Sequence, residues 1–243
     1  TFAFTGAGAL PGTLTGDGAD TLDLTGYGSA ITTTLTADRA GTIAGVIDNG
    51  FTGIDTLLGT SNGDTLNGVA ATPNTFTVTA AGVEHTTGTS TILVTGTTTL
   101  NGDTAADTFA FDDSATYNGA INGGSGADTL DFSAYTSTVD VTLTATDPGG
   151  HTGTVAQASG GFTGIDTINA GTGDDTLTGT DSLTFWTASA DTIDTGGTIL
   201  TYSGFDTLQG GDGVDFFVID APLPITVLMG GGDDRIDIRV GGS

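Results

Sequence analysis

The sequence predicts an all-β fold, a parallel β-solenoid of the β-roll or β-helix kind, built from about two ~108-residue repeats. Three observations carry this expectation: a composition of strand and turn formers, self-similarity at a long period, and a short motif that recurs in nine-residue steps. Thr is the commonest residue, and its β-branch suits strands. The 42 Gly residues would interrupt helices throughout. Every acid but Glu84 is Asp, whose short carboxylate bonds its own backbone in turns. Low-complexity disorder is the rival reading of so much Gly and Thr under so high a charge. Against it, the 36% of hydrophobic residues recur at fixed places.

The long repeat is read directly. GADTLDL at Gly18 to Leu24 returns as GADTLDF at Gly126 to Phe132, an offset of 108. GFTGIDT at Gly50 returns at Gly161, an offset of 111. TFAF at Thr1 returns at Thr108, with a looser echo, FFVI, at Phe216 to Ile219. The chain divides into one elongated array: 1–17 the end of a preceding repeat, 18–125 the first copy, 126–233 the second, and 234–243 the start of another. Such a division predicts a segment of a longer array, without the polar caps that close natural solenoids.

The short repeat sets the elements. Asp55-Thr-Leu57 leads to Asp64-Thr-Leu66, Asp166-Thr-Ile168 to Asp175-Thr-Leu177, and Asp206-Thr-Leu208 to Asp215-Phe-Phe217, each by nine residues. Thr98-Thr-Leu100 to Asp107-Thr-Phe109 is a degenerate case. Nine residues make one Gly-rich turn and one short strand, and about twenty make a full coil. The apolar residue two places after each Asp should stack on its counterpart in the next coil. Phe51, Phe162 and Phe205, just before these strands, are expected in the core. About a dozen coils would give a rod of roughly 55–60 Å. A second strand type alternates at period two: Ile31, Thr33, Leu35 and Val139, Val141, Leu143. These strands belong either to broader coils or to an inserted sandwich.

The turns carry a further pattern. Gly123 to Asp131 reads GGSGADTLD and Gly210 to Val218 reads GGDGVDFFV. TGDGADTLD from Thr15, AGTGDDTLT from Ala170 and MGGGDDRID from Met229 match with the first Gly replaced. GTSNGDTLN from Gly59 and GDTAADTFA from Gly102 match weakly. These stretches resemble the nonapeptide GGxGxDxUx of the RTX calcium-binding β-roll family. The wider chain, with its DTL-rich turns, is similar to the large repetitive surface proteins and adhesins of bacteria. The resemblance implies Ca²⁺ shared between stacked turns through Gly carbonyls and the sixth-position Asp. Carried over by position, the candidate ligands are Asp20, Asp64, Asp107, Gly124, Gly126, Asp128, Gly171, Gly173, Asp175, Gly211, Gly213, Asp215, Gly230, Gly232 and Asp234. The family's turns run in long tandem arrays, whereas these come singly or in pairs. Only Asp215 with Asp234, and Asp107 with Asp128, have one-coil spacing, so a few sites are expected and no continuous ladder. The alternative is that GxGxD marks metal-free corners.

Charge and residue content exclude other classes. Three Arg face 29 acids, for a net charge of −26, so nucleic acid and anionic membrane surfaces are repelled. No apolar run is long enough to span a membrane, and the first residues lack a basic signal region. There is no Cys, and therefore no disulfide or thiol nucleophile. His85 and His151 lie far apart and are expected at the surface or in loops, outside any catalytic pair. The adjacent pairs Asp112-Asp113, Asp174-Asp175 and Asp233-Asp234 would point to opposite faces in a strand. No enzyme is expected. The expected function is an extracellular or cell-surface structural protein, stabilised by Ca²⁺, that joins copies of itself head to tail into a filament, sheath or surface layer. The alternatives are the monomeric stalk of a calcium-binding adhesin, with cell-surface glycans as possible targets, and a polysaccharide-active β-helix enzyme using Trp186.

Overall fold

The structure is a computed structural model that describes residues 1–6, 8–220 and 224–239; the last four residues of the 234–243 segment lie outside it. It is all-β, with two long, parallel-rich sheets, A and B, between which the chain passes repeatedly. The chain enters A as β1 (Phe2–Thr5), crosses to B as β2 (Leu14–Thr15) and returns as β3 (Thr21–Gly26). A three-stranded antiparallel meander follows in B: β4 (Thr32–Ala37), β5 (Ala40–Ile43) and β6 (Ile47–Thr52). Single strands come next, β7 (Thr56–Leu58) in A and β8 (Asp64–Asn67) in B. A second meander lies in A: β9 (Thr75–Thr79), β10 (Gly82–Thr86) and β11 (Ile92–Thr95). β12 (Thr97–Asp103) returns to B.

The same route is then taken again. β13 (Thr108–Phe111), β14 (Ala120–Gly124) and β15 (Thr129–Asp131) lead to a meander in B of β16 (Asp140–Asp147), β17 (Gly150–Val155) and β18 (Ala158–Ile165). β19 (Thr167–Asn169) and β20 (Thr176–Thr178) lead to a meander in A of β21 (Thr184–Thr187), β22 (Thr192–Thr195) and β23 (Thr198–Ser203). β24 (Thr207–Gln209), β25 (Asp215–Ile219), β26 (Thr226–Leu228) and β27 (Arg235–Ile238) continue the alternation. Among the described residues, sheet A has 14 strands and sheet B has 13.

The meanders explain the strands that sequence spacing left open. Ile31 and Val139 lead into β4 and β16, which are neither broader coils nor a separate sandwich but the first strands of meanders inside sheet B. Each meander runs backward. β9 is laid three places beyond β7, and the chain returns through β10 so that β11 lies parallel beside β7 while β9 lies parallel beside β13. Each round of twelve strands puts six in either sheet, because one meander in B is matched by one in A.

The core lies between the sheets. Leu22, Leu57, Val94 and Val83 form one inward row in strand-to-strand register, and Phe76, Phe109, Leu130, Ile168 and Tyr202 form another. Sheet B supplies Leu66, Leu100 and Ile121, and farther along Val141, Leu177 and Leu208. These rows contain the apolar residues two places after the corner Asp residues. Phe51, Phe162 and Phe205 are buried too. Phe76 stacks on Phe109 and Trp186 on Phe217, at centroid distances of 5.0 and 4.9 Å.

Candidate functional site

The acids that open the strands form hydrogen-bonded ladders at the corners between the sheets. At the entry to sheet A, the Asp20 amide donates to Asp55 Oδ2 at 2.8 Å. The Asn74 amide donates to Asp107 Oδ1 at 2.7 Å, the Asp107 amide to Asp128 Oδ1 at 2.8 Å, and the Asp128 amide to Asp166 Oδ2 at 2.9 Å. The Asp215 amide donates to Asp234 Oδ1 at 3.0 Å. At the entry to sheet B, Ile31 donates to Asp64, Val139 to Asp175 and Asp175 to Asp206. Each carboxylate reaches back one strand and caps the amide heading it. The ladder is local in space but not in sequence. Asp128 and Asp166 are neighbours although a meander separates them in the chain, and Asp175 and Asp206 likewise. Spacing alone finds Asp107–Asp128 and Asp215–Asp234 and misses Asp55, Asp166 and Asp206, whose recurrent Asp-Thr-[Leu/Ile] context is the signal for them.

The candidate ligands fall into two groups. Asp64 has both oxygens engaged: Oδ1 accepts from Ile31 N and Thr60 Oγ1, and Oδ2 from Thr60 N. Asp175 accepts from Val139 N and Gly171 N, one on each oxygen, and Asp20 Oδ2 accepts from Asp17 N and Gly18 N. In the other group, Asp107 Oδ2, Asp128 Oδ2 and both oxygens of Asp215 are buried without a hydrogen-bond donor. The Thr184 hydroxyl, the Gly211 amide and the Trp186 indole N–H, which has no other acceptor, stand beside Asp215, and the Asp103 amide beside Asp107, all outside hydrogen-bond geometry; Asp128 Oδ2 has no such donor beside it. The side chains of all three are at most 1% exposed. Burial lifts the carboxyls of Asp107 and Asp215 above the usual carboxylate range and Asp128 to about 6, and it raises Asp175 as well, so the shift follows burial rather than the missing donors.

The candidate glycines stack the turns. A Cβ on Gly124 or Gly126 would strike the carbonyls of Asp103 or Ala105. Gly211 and Gly213 press on Thr180 and Asp181, Gly230 and Gly232 on Gly211 and Gly213, and Gly171 and Gly173 on Tyr135 and Ser137. Gly232 needs the left-handed region as well, with φ of 107°. A Cβ on Gly123 would collide with the Gly164 carbonyl and Asp128 Oδ2, and one on Gly210 with the Met229 carbonyl and Asp215 Oδ2. The same pairing of a carboxylate oxygen with a neighbouring turn's carbonyl occurs beside Gly16, Gly59 and Gly102, at Asp20, Asp64 and Asp107, so only the missing donors set Asp107, Asp128 and Asp215 apart. Hard cations prefer such donors. The donor set fits Ca²⁺ at Asp107, Asp128 and Asp215 better than at Asp64, Asp175 or Asp20. Among the described residues, no three His, Cys, Asp or Glu side chains are gathered as a metal-holding group.

One feature contradicts the sequence reading and another lies outside it. His85 and His151 are fully buried rather than at the surface, because both occupy inward positions of meander strands. His85 Nε2 lies 2.8 Å from Asn74 Oδ1, and Asn74 Nδ2 donates to Asp107, so the imidazole joins the corner ladder. Burial holds its pKa down at about 4. Arg39 is the other: its guanidinium bonds the carbonyls of Gly18 and Gly53 and the Asp55 carboxylate at 2.6 Å, clamping one corner. Trp186 is 1% exposed and offers no platform for a sugar. Comparisons with protein-family models, with curated proteins and with solved structures found no match.

Proposed function

We propose that this chain is part of an extracellular structural protein, a calcium-stabilised β-solenoid that joins copies of itself head to tail into a filament, sheath or surface layer. The observation that carries the reading is the set of buried carboxylate oxygens without donors at Asp107, Asp128 and Asp215, each lodged in a ladder of stacked Gly-Asp corners. Burying an ionised carboxylate without a partner costs several kcal/mol, on the order that a bound divalent cation can offset. The net charge of −26 points the same way, since cation binding lowers the repulsion between copies. A strand ladder that grows by translation is polar, so a contact between copies along its axis is heterologous and propagates. Sedimentation velocity in millimolar Ca²⁺ and in chelator tests the reading. Large species in calcium that dissolve in chelator are expected. A monomeric rod in both conditions would overturn self-assembly and favour the adhesin stalk.

A further inference from the structure

One stretch of the outer face of sheet A differs from its counterpart in the preceding round. Strand register aligns Thr86, Thr75, Thr108 and Thr129 as one outward row across β10, β9, β13 and β15. The same register one round later places Asp194, Phe185, Phe216 and Arg235 across β22, β21, β25 and β27. Four hydroxyls are replaced by an acid, two aromatic rings and a guanidinium, in that order. The two rings stack on each other at 5.2 Å, and Phe185 is 44% exposed although its neighbour Trp186 is buried. Every exposed large hydrophobic residue among those described lies at or beyond Leu183. A hollow of ≈ 370 Å³ lies beside Phe185 and is lined by Leu183, Asp194, Gly196 and Gly197 among others.

We propose that this row is a docking surface for a second copy of the chain, related by a two-fold axis lying in the interface, parallel to the strands and midway between Phe185 and Phe216. The order of charges selects that axis. Rotation about it reverses the row, so each Asp194 faces the partner copy's guanidinium and the aromatic pair meets its own image. A two-fold axis along the row would set acid against acid. Adjacent strands are ~4.8 Å apart, so the charges lie about 14 Å apart, one on each side of the aromatic pair. Asp194 and Phe185 both line the hollow, so the acid borders open space beside the aromatic pair. A two-fold contact of this kind is self-complementary and closes on itself. It is a side-by-side pairing and does not depend on calcium or on head-to-tail growth. Sugar stacking fits the patch poorly, because the rings turn their faces to each other and their edges outward.

Sedimentation equilibrium in chelator at ~150 mM salt tests the pairing apart from any calcium-driven polymer. The wild-type chain is expected to form dimers and no larger species. F185T/F216T restores the Thr found at the matching positions of the preceding round and should fold, while weakening the dimer by ~30-fold, the scale on which aromatic anchors act. D194R and R235D should each give monomers, and the double swap D194R/R235D should restore the dimer. Asp194 also caps the Gly197 amide. If D194R fails to fold by circular dichroism, R235D alone decides the charge order. A monomeric wild type, a dimer unchanged in F185T/F216T, or a dimer unchanged in R235D would overturn the proposal. Loss of calcium-dependent polymers with the dimer intact would count only against the head-to-tail reading.

Discussion

Asp64 and Asp128 both sit at corners with the same apparent motif, yet their surroundings give opposite predictions. Asp64 accepts three hydrogen bonds, so its loss leaves buried donors unpaired. Asp64→Ala is expected to cost ~3 kcal/mol in calcium and in chelator alike, measured by denaturant unfolding. Asp128 accepts the Asp107 amide on one oxygen and leaves the other bare. Asp128→Asn keeps the acceptor and removes a buried charge. In chelator at pH 7 it is expected to melt higher than wild type, and in millimolar calcium lower. A lower melting point in both conditions would mean that the carboxylate supports the fold without a metal. The pH dependence has a definite sign. A carboxyl raised to about 6 in the native state binds its proton before the unfolded chain does. Its contribution is therefore most favourable below the ordinary value near ~4 and is lost as pH rises through 6. His85, held down at about 4, acts oppositely, losing stability as pH falls from its ordinary ~6.5. The melting difference between wild type and Asp128→Asn in chelator cancels His85 and is expected to shift in favour of wild type as pH falls from 7 to 5. A constant difference would contradict the burial of that charge.

The meanders are the decisive elements. Each adds two strands to one sheet, and the meander in B is matched by one in A within the same round. Removing β10 and β11 from sheet A alone would put the two sheets out of step by two strands, about 10 Å. Downstream corners would then lose their partners across the ladder. Such a deletion is expected to abolish cooperative thermal unfolding, whereas a second deletion that also removes β5 and β6 from sheet B should restore it. Equal melting of the single and double deletions would show that the sheets need not stay in step. Period-two alternation identifies these strands as strands, but it carries no information about which neighbour they choose. The amides of Ile31 and Val139, which head their strands, donate to the carboxylates of Asp64 and Asp175, residues far along the chain.

For the whole molecule, the long sheets set the shape and the charge sets the response to solution. Fourteen strands at ~4.8 Å spacing give sheet A a length near 60 Å. A net charge of −26 on such a body repels itself, and salt screens that repulsion over about 10 Å at 0.1 M. In chelator the melting temperature is expected to rise as sodium chloride increases from ~10 to ~500 mM. A flat response would show that the acids are already paired off along the corners.

The sequence by itself determined the strand class, the two-scale repeat, the inward apolar residues after each Asp and the glycines at the turns. These follow from local chemistry: β-branching, side-chain alternation and the room that a missing Cβ leaves. Tertiary structure alone decided which corners are neighbours, that His85 completes a ladder through Asn74, and that Asp128 keeps a free buried oxygen while Asp64 keeps none. The reason is the backward meander. It brings residues thirty or more positions apart to within hydrogen-bonding distance, and a carboxylate's chemistry is set by the donors around it rather than by the motif that contains it.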